Sequence, residues 1–246
     1  FDLSKGFTQK VSTDDGVFAA YDAERIATIK RMGDVIWEYA PNTYCILEHF
    51  ATNSEEKELA EYGFMLWGNM VHEYNEATMG YSSNLSGASY QAGSNNWSEP
   101  HLVSYMESHD EERLMYKNLN FGNSNGNYNV QNEATALRRN AMTAAFFFAI
   151  PGPKLLWQFG ELGYDFSINT CTDGTVNNNC RLSRKPIRWD YQDDADRNAL
   201  FELYQQIFKL KSTHPAIDAD ADVSLNLNGE TKSIISSKAG EHIVII

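Results

Sequence analysis

The alternation of two patterns along the chain constrains its fold more than any other feature. Short apolar runs that end in acids take turns with segments whose apolar residues recur at helical spacing. Thr43-Tyr44-Cys45-Ile46-Leu47 ends in Glu48-His49, and Leu102-Val103-Ser104-Tyr105-Met106 ends in Glu107-Ser108-His109-Asp110. Asp22 is placed to cap a helix whose positions Ile26, Ile29, Gly33, Ile36 and Ala40 run up to Pro41. Residues 54–62 read as a short helix capped at Ser54, Phe64 to Trp67 as a strand, and 80–99 as a polar loop. Residues 132–150 read as a helix with Ala134, Leu137, Ala141, Ala145 and Phe148 on one side, and Lys154 to Phe159 as the next strand. After a long loop over 163–190, a last helix over 195–212 carries Leu200, Leu203, Ile207 and Leu210 as its buried stripe.

Strand and helix taking turns predict parallel strands with helices outside, the α/β class. Five such units make up most of an eight-unit barrel. After Pro215 the period changes to two. Val223 to Leu227, an Asn228-Gly229 turn, Thr231 to Ser236 and a second turn at Gly240 predict an antiparallel β domain. The expected division is therefore 1–213 for the barrel portion and 214–246 for the start of a β domain. Phe1 in place of a start methionine, and a strand pattern still running at Ile246, read as cut ends, with three barrel units expected ahead of residue 1.

Charge narrows the partners. Twenty basic residues against 33 acidic ones give a net charge of -13, which repels phosphate backbones and anionic membranes. The most apolar stretch, Ala141 to Leu156, is broken by Thr143, Lys154 and a Pro-Gly-Pro, short of the ~18–20 apolar residues of a membrane span. The six histidines show no zinc spacing, and no glycine-rich phosphate loop is present.

In a βα barrel the active site is built at the C-terminal ends of the strands, so acids there are the first catalytic candidates. Asp2, Glu48 and Asp110 occupy such positions. Clustered carboxylates can divide their labour, one ionised as a nucleophile and one protonated as a general acid, which is the chemistry of retaining glycoside cleavage. On spacing alone, solvated strand-end acids or helix caps remain the ordinary alternative.

The local sequences add a resemblance. Phe1-Asp2-Leu3-Ser4-Lys5-Gly6-Phe7, Ile46-Leu47-Glu48-His49 and Met106-Glu107-Ser108-His109-Asp110 look like, in order, the second, third and fourth signature regions of the α-amylase family of glycoside hydrolases, family 13. Gly160-Glu161-Leu162-Gly163 resembles that family's strand-eight segment, and Arg184 to Asp190 resembles the stretch before its final barrel helix. The resemblance covers residues 1–213, and the tail from Val223 resembles the start of the family's C-terminal β-sandwich. It implies a (β/α)8 TIM barrel represented here by about strands 4–8. It further implies Asp2 as nucleophile, Glu48 as general acid/base and Asp110 as the acid that binds the sugar in the transition state. His109 would hold hydroxyls of that sugar and Lys5 would line the leaving-group side. Without the resemblance, His109 reads as a core histidine and Lys5 as a surface cation.

The implied activity is hydrolysis of α-1,4-glucosidic bonds in starch or maltooligosaccharides. The alternatives are a transglycosylase or isomerase of the same family and a non-catalytic glucan-binding protein. The family's arginine two residues before the nucleophile falls ahead of Phe1. The implied chemistry requires no cofactor. Gly6 stands where many members have a histidine whose backbone helps bind calcium, so a structural calcium is possible in the family's terms but not supported by this chain. Trp97, in its polar loop, is the expected exposed stacking platform for sugar rings. Cys171 and Cys180 flank a small polar loop that a disulfide could close, while Cys45 reads as a buried thiol. A disulfide would suit an extracellular, cell-surface or periplasmic protein.

Overall fold

The computed structural model describes residues 1–10 and 12–246 and divides into two compact units. The first comprises Phe1–Gly68 and Gly87–Ser104, the second Asn69–Ser86 and Tyr105–Ile246.

In the first unit, helices α1 (Asp15–Phe18), α2 (Ala23–Tyr39) and α3 (Asn53–Tyr62) accompany strands β1 (Ile46–Leu47), β2 (Met65–Asn69) and β3 (Leu102–Tyr105). The strands lie side by side in that order. β1 and β2 are parallel, with Ile46 opposite Met65 and Leu47 opposite Leu66. As the sequence indicates, α2 starts at Asp22, whose carboxylate accepts the backbone N–H of Glu24. Its buried face presents Ile26 and Ile29, and Gly33 lies so close to the Phe64 ring that an added Cβ would sit 2.4 Å from it. Only glycine lets the helix approach there. These residues share a core with Leu47, Leu59, Phe64, Leu66 and Leu102. Helix α3 begins one residue earlier than expected, and Thr52 rather than Ser54 stands at its N-cap. It ends at Gly63, whose φ of 128° suits glycine alone.

The expectation of a strand covered on both faces at 43–47 is corrected. Leu47 and Cys45 are buried while Tyr44 and Ile46 face outward, the alternation of a strand covered on one face.

In the second unit, helices α4 (Val71–Met79), α5 (Leu114–Phe121), α6 (Glu133–Ala149) and α7 (Ala195–Thr213) pack together, α6 lying against α4, α5 and α7. Asn132 caps α6 by accepting from Thr135, and Asp194 caps α7 by accepting from Asp196 and Arg197. The core is aromatic: Phe147 meets Tyr74 and Phe148 edge-on at 5.0 Å, and Phe148 meets Tyr204 at 5.4 Å. On α7 the buried line follows Leu200, Tyr204 and Ile207, so Leu210 faces outward, contrary to the predicted stripe.

Strands β4 (Ser124–Asn125) and β5 (Tyr128–Asn129) make a small hairpin. Strand β6 (Lys154–Leu155) is shorter than the run predicted to Phe159, and Phe159 itself takes a left-handed conformation ahead of a 3-10 turn over Gly160–Leu162. The C-terminal segment is an antiparallel meander of β7 (Asp222–Asn226), β8 (Ser233–Lys238) and β9 (Glu241–Ile245). No helix among the described residues is long and apolar enough to cross a membrane.

Candidate functional site

The segment bearing Asp2 is laid against the tip of β1. The backbone nitrogen of Phe1 donates to the Ile46 carbonyl at 2.8 Å, Glu48 N–H donates to the Phe1 carbonyl at 2.9 Å, and Ser4 N–H donates to the Glu48 carbonyl at 2.8 Å. These bonds step along the two backbones as in a parallel ladder. Leu3 turns at a φ of 42° and directs its N–H to Glu48 Oε2 at 3.4 Å. Asp2 is thereby an exposed acid at the turn beside the half-buried Glu48.

Beneath this turn lies a buried polar chain. Ser4 Oγ is 2.8 Å from His49 Nδ1 and donates to the Glu48 carbonyl at 3.0 Å. His49 Nε2 is 2.8 Å from Glu55 Oε1. Arg25 clamps both Glu55 oxygens at 2.7 Å and donates to the carbonyls of Lys5, Phe18 and Ala20. Glu55 Oε2 also receives the Asp22 N–H at 2.9 Å. Burial alone pushes the Glu55 carboxyl up, but the bonds from His49 and Arg25 outweigh it and hold the group below the usual carboxylate range. A carboxylate only accepts, so His49 Nε2 carries a proton. On the same helix, burial pushes Glu56 up to about 8 against the pull of the Ala51 and Phe50 amides.

Lys5 is buried rather than a free surface cation. Its ammonium meets Asp15 Oδ1 at 2.9 Å and lies 5.4 Å from the Phe18 ring centre. Gly6 stands in open space, where an added Cβ would meet nothing within 4 Å.

In the second unit, Asp110 pairs with Arg181 at 2.7 Å, and His109 Nε2 lies 3.7 Å from the other oxygen of Asp110. The His109 ring sits 6.0 Å from that of Trp157. Arg181 follows Cys180, which is disulfide-bonded to Cys171. The Lys185 ammonium gathers the carbonyls of Thr170, Cys180 and Arg181 and so fixes this loop.

The exposed platform expected at Trp97 is not present. Its indole is 3% exposed, packs in the first unit's core, and donates through Nε1 to Asn53 Oδ1 at 2.8 Å. The loop is polar in sequence, yet it folds its Tyr90 and Trp97 rings inward. Sequence reasoning missed Glu55, Arg25 and Arg181. Arg181 carries no local signal, since it meets Asp110 across 71 residues of chain. Glu55 reads as one more acid in the first turn of a helix.

No protein-family model and no curated protein matches the chain. Solved structures do. Amy13B of Eubacterium rectale superposes with a TM-score of 0.59 at 15% identity over 90% of this chain and 46% of its own. AmyP in complex with maltose gives 0.63 at 15% identity over 99% and 52%. The α-amylase from H. orenii gives 0.57 at 12% identity over 90% and 46%. The chain spans about half the length of the structures it matches. At these identities the likeness establishes the fold alone, and the chain folds as part of the (β/α)8 proteins it matches do.

Proposed function

We propose that this chain is part of a retaining glycoside hydrolase that cleaves α-1,4-glucosidic bonds of starch or maltooligosaccharides. The observation that carries the reading is the backbone pairing that sets the Asp2 turn beside Glu48, with Leu3 N–H directed to Glu48 Oε2. Two acids on adjoining backbone segments are what double displacement needs. In the first step an Asp2 carboxylate oxygen attacks the anomeric carbon while Glu48 gives its proton to the departing glycosidic oxygen. The C–O bond breaks and a glycosyl ester forms on Asp2. In the second step water attacks the same carbon, gives a proton back to Glu48 and releases Asp2. Asp110, held by Arg181, is assigned to the sugar hydroxyls by the sequence resemblance, as is His109.

The structural neighbours support the same class of enzyme, and one of them, AmyP, was crystallised with maltose and, as a glutamate-to-glutamine variant, with maltotriose. The test is Asp2→Asn in the full-length protein, with the anomeric form of the first product followed by NMR. The reading expects retained configuration in the wild type and loss of turnover in the variant. Inverted product or substantial residual turnover contradicts it.

A further inference from the structure

Three of the first unit's residues sit in the left-handed region without being glycine: Leu3 at a φ of 42°, Phe50 at 52° and Asn96 at 51°. Such conformations cost of order 1–3 kcal/mol each and persist only where the surroundings over-determine them. Leu3 and Phe50 bracket a single contact. Leu3 precedes Ser4, Phe50 follows His49, and Ser4 Oγ meets His49 Nδ1 at 2.8 Å. The contact is backed by side chains with no outlet to water, since Ser4, His49 and Glu55 are all 0% exposed and Arg25 is 1% exposed.

We propose that Glu55 is a positioning residue that, through His49 and Arg25, fixes the turn of Asp2 against Glu48. The inference rests on the roles given to Asp2 and Glu48 above. Glu55 is suited to the task because every contact it makes leads to one of the two acids or to the helix beneath them. Its Oε1 receives His49, the residue after Glu48, whose other nitrogen meets Ser4, two residues after Asp2. Both its oxygens receive Arg25, whose Nη1 reaches the Lys5 carbonyl on the same turn at 3.0 Å. Its Oε2 receives the backbone of Asp22, the cap of α2. The Asp2 turn is thus tied at Ser4 and at Lys5, from two directions, to one carboxylate. A neutral amide at that place cannot serve: in either orientation its NH2 group would face the guanidinium, with the imidazole on one side or the Asp22 N–H on the other, donor against donor.

Because a shift of about 1 Å in a reacting group can cost ~100-fold in rate, loosening this tie should slow attack by Asp2 while leaving the sugar subsites intact. The experiment compares full-length wild type, Ser4→Ala and Glu55→Gln for inactivation by a fluorinated maltosyl fluoride, which arrests the glycosyl-enzyme. Mass spectrometry gives the labelled peptide, the limiting rate of labelling and the half-saturating concentration. The expected result is label on Asp2 in all three, with the limiting rate down about tenfold or more in the variants and half-saturation within about twofold of wild type. Ser4→Ala removes a single oxygen and decides the matter where Glu55→Gln fails to fold. Label on Asp2 at wild-type rate in the variants overturns the inference and leaves the proposed function standing. So does a rate and a half-saturation that move together, the mark of general damage. Label on another residue in the wild type overturns the proposed function itself, and this inference with it.

Discussion

His49 Nε2 stands 2.8 Å from Glu55 Oε1, and neither side chain has any exposed surface. The pair belongs to a network in which one carboxylate faces three donors, His49, Arg25 and the Asp22 N–H, and its energetics are set by what happens when a partner is lost. A buried ion pair contributes little over an apolar replacement, but removing one member leaves a charge stranded without water.

Arg25→Ala should therefore destabilise the folded state by about 3–5 kcal/mol, through the orphaned Glu55 and the three carbonyls left without a donor. Arg25→Lys should recover only part of this, because a single ammonium cannot span both Glu55 oxygens as the guanidinium fork does. Chemical denaturation of the full-length variants checks both; equal stability of Arg25→Lys and wild type would contradict the forked geometry.

Glu56 gives a pH dependence of definite sign. Its carboxyl is raised by burial to about 8 in the folded chain from 4.5 when exposed, so the folded state holds the proton more tightly. Its contribution is fully present below about pH 4.5 and is lost as pH rises toward about 8, at a limit of about 1.4 kcal/mol per unit. Glu56→Gln should flatten the stability profile over that window and gain on the wild type as pH rises. Parallel profiles for the two proteins would show that Glu56 ionises normally.

Trp97 separates packing from recognition. Trp97→Phe keeps the ring buried and loses the bond to Asn53 Oδ1, so stability should fall by about 1–2 kcal/mol. The KM for maltooligosaccharides should not change. A large rise in KM with stability intact would restore the stacking role that the sequence suggested.

The Cys171–Cys180 disulfide closes the loop from which Arg181 reaches Asp110. Replacing both cysteines with serine should cost about 2–3 kcal/mol of stability. Arg181→Met, which removes an exposed pair, should cost less than about 1 kcal/mol. Under the proposed function Arg181→Met should nonetheless alter KM, since Asp110 loses its partner. Thermal denaturation beside steady-state kinetics distinguishes the two effects.

What the sequence made legible follows the range of the forces involved. Capped, amphipathic helices such as α2, α6 and α7 were readable because their caps and periods are local: Asp22, Asn132 and an apolar spacing of three and four. The strands were readable as places but not as lengths. Ile46–Leu47 and Lys154–Leu155 are short because a strand's extent depends on its neighbours. Helices α4 and α5 were missed, since Val71–Met79 and Leu114–Phe121 mix polar residues into their buried faces, Asn75, Thr78 and Asn118 among them. Glu48 directly follows β1, as its apolar run suggests, but the side chains that support this segment could not be read. Glu55 and Arg25 meet across 30 residues and Asp110 and Arg181 across 71, with nothing in the intervening chain to announce the pairing.

The most direct measurement is the identity of the residue that bears the sugar when the full-length protein is arrested with a fluorinated maltosyl fluoride and digested for peptide mapping. The structure and the resemblance together predict an ester on Asp2, with no labelling of Asp2→Asn. A label on any other residue, or none in a protein that is otherwise turning over, would contradict the assignment of Asp2 as nucleophile.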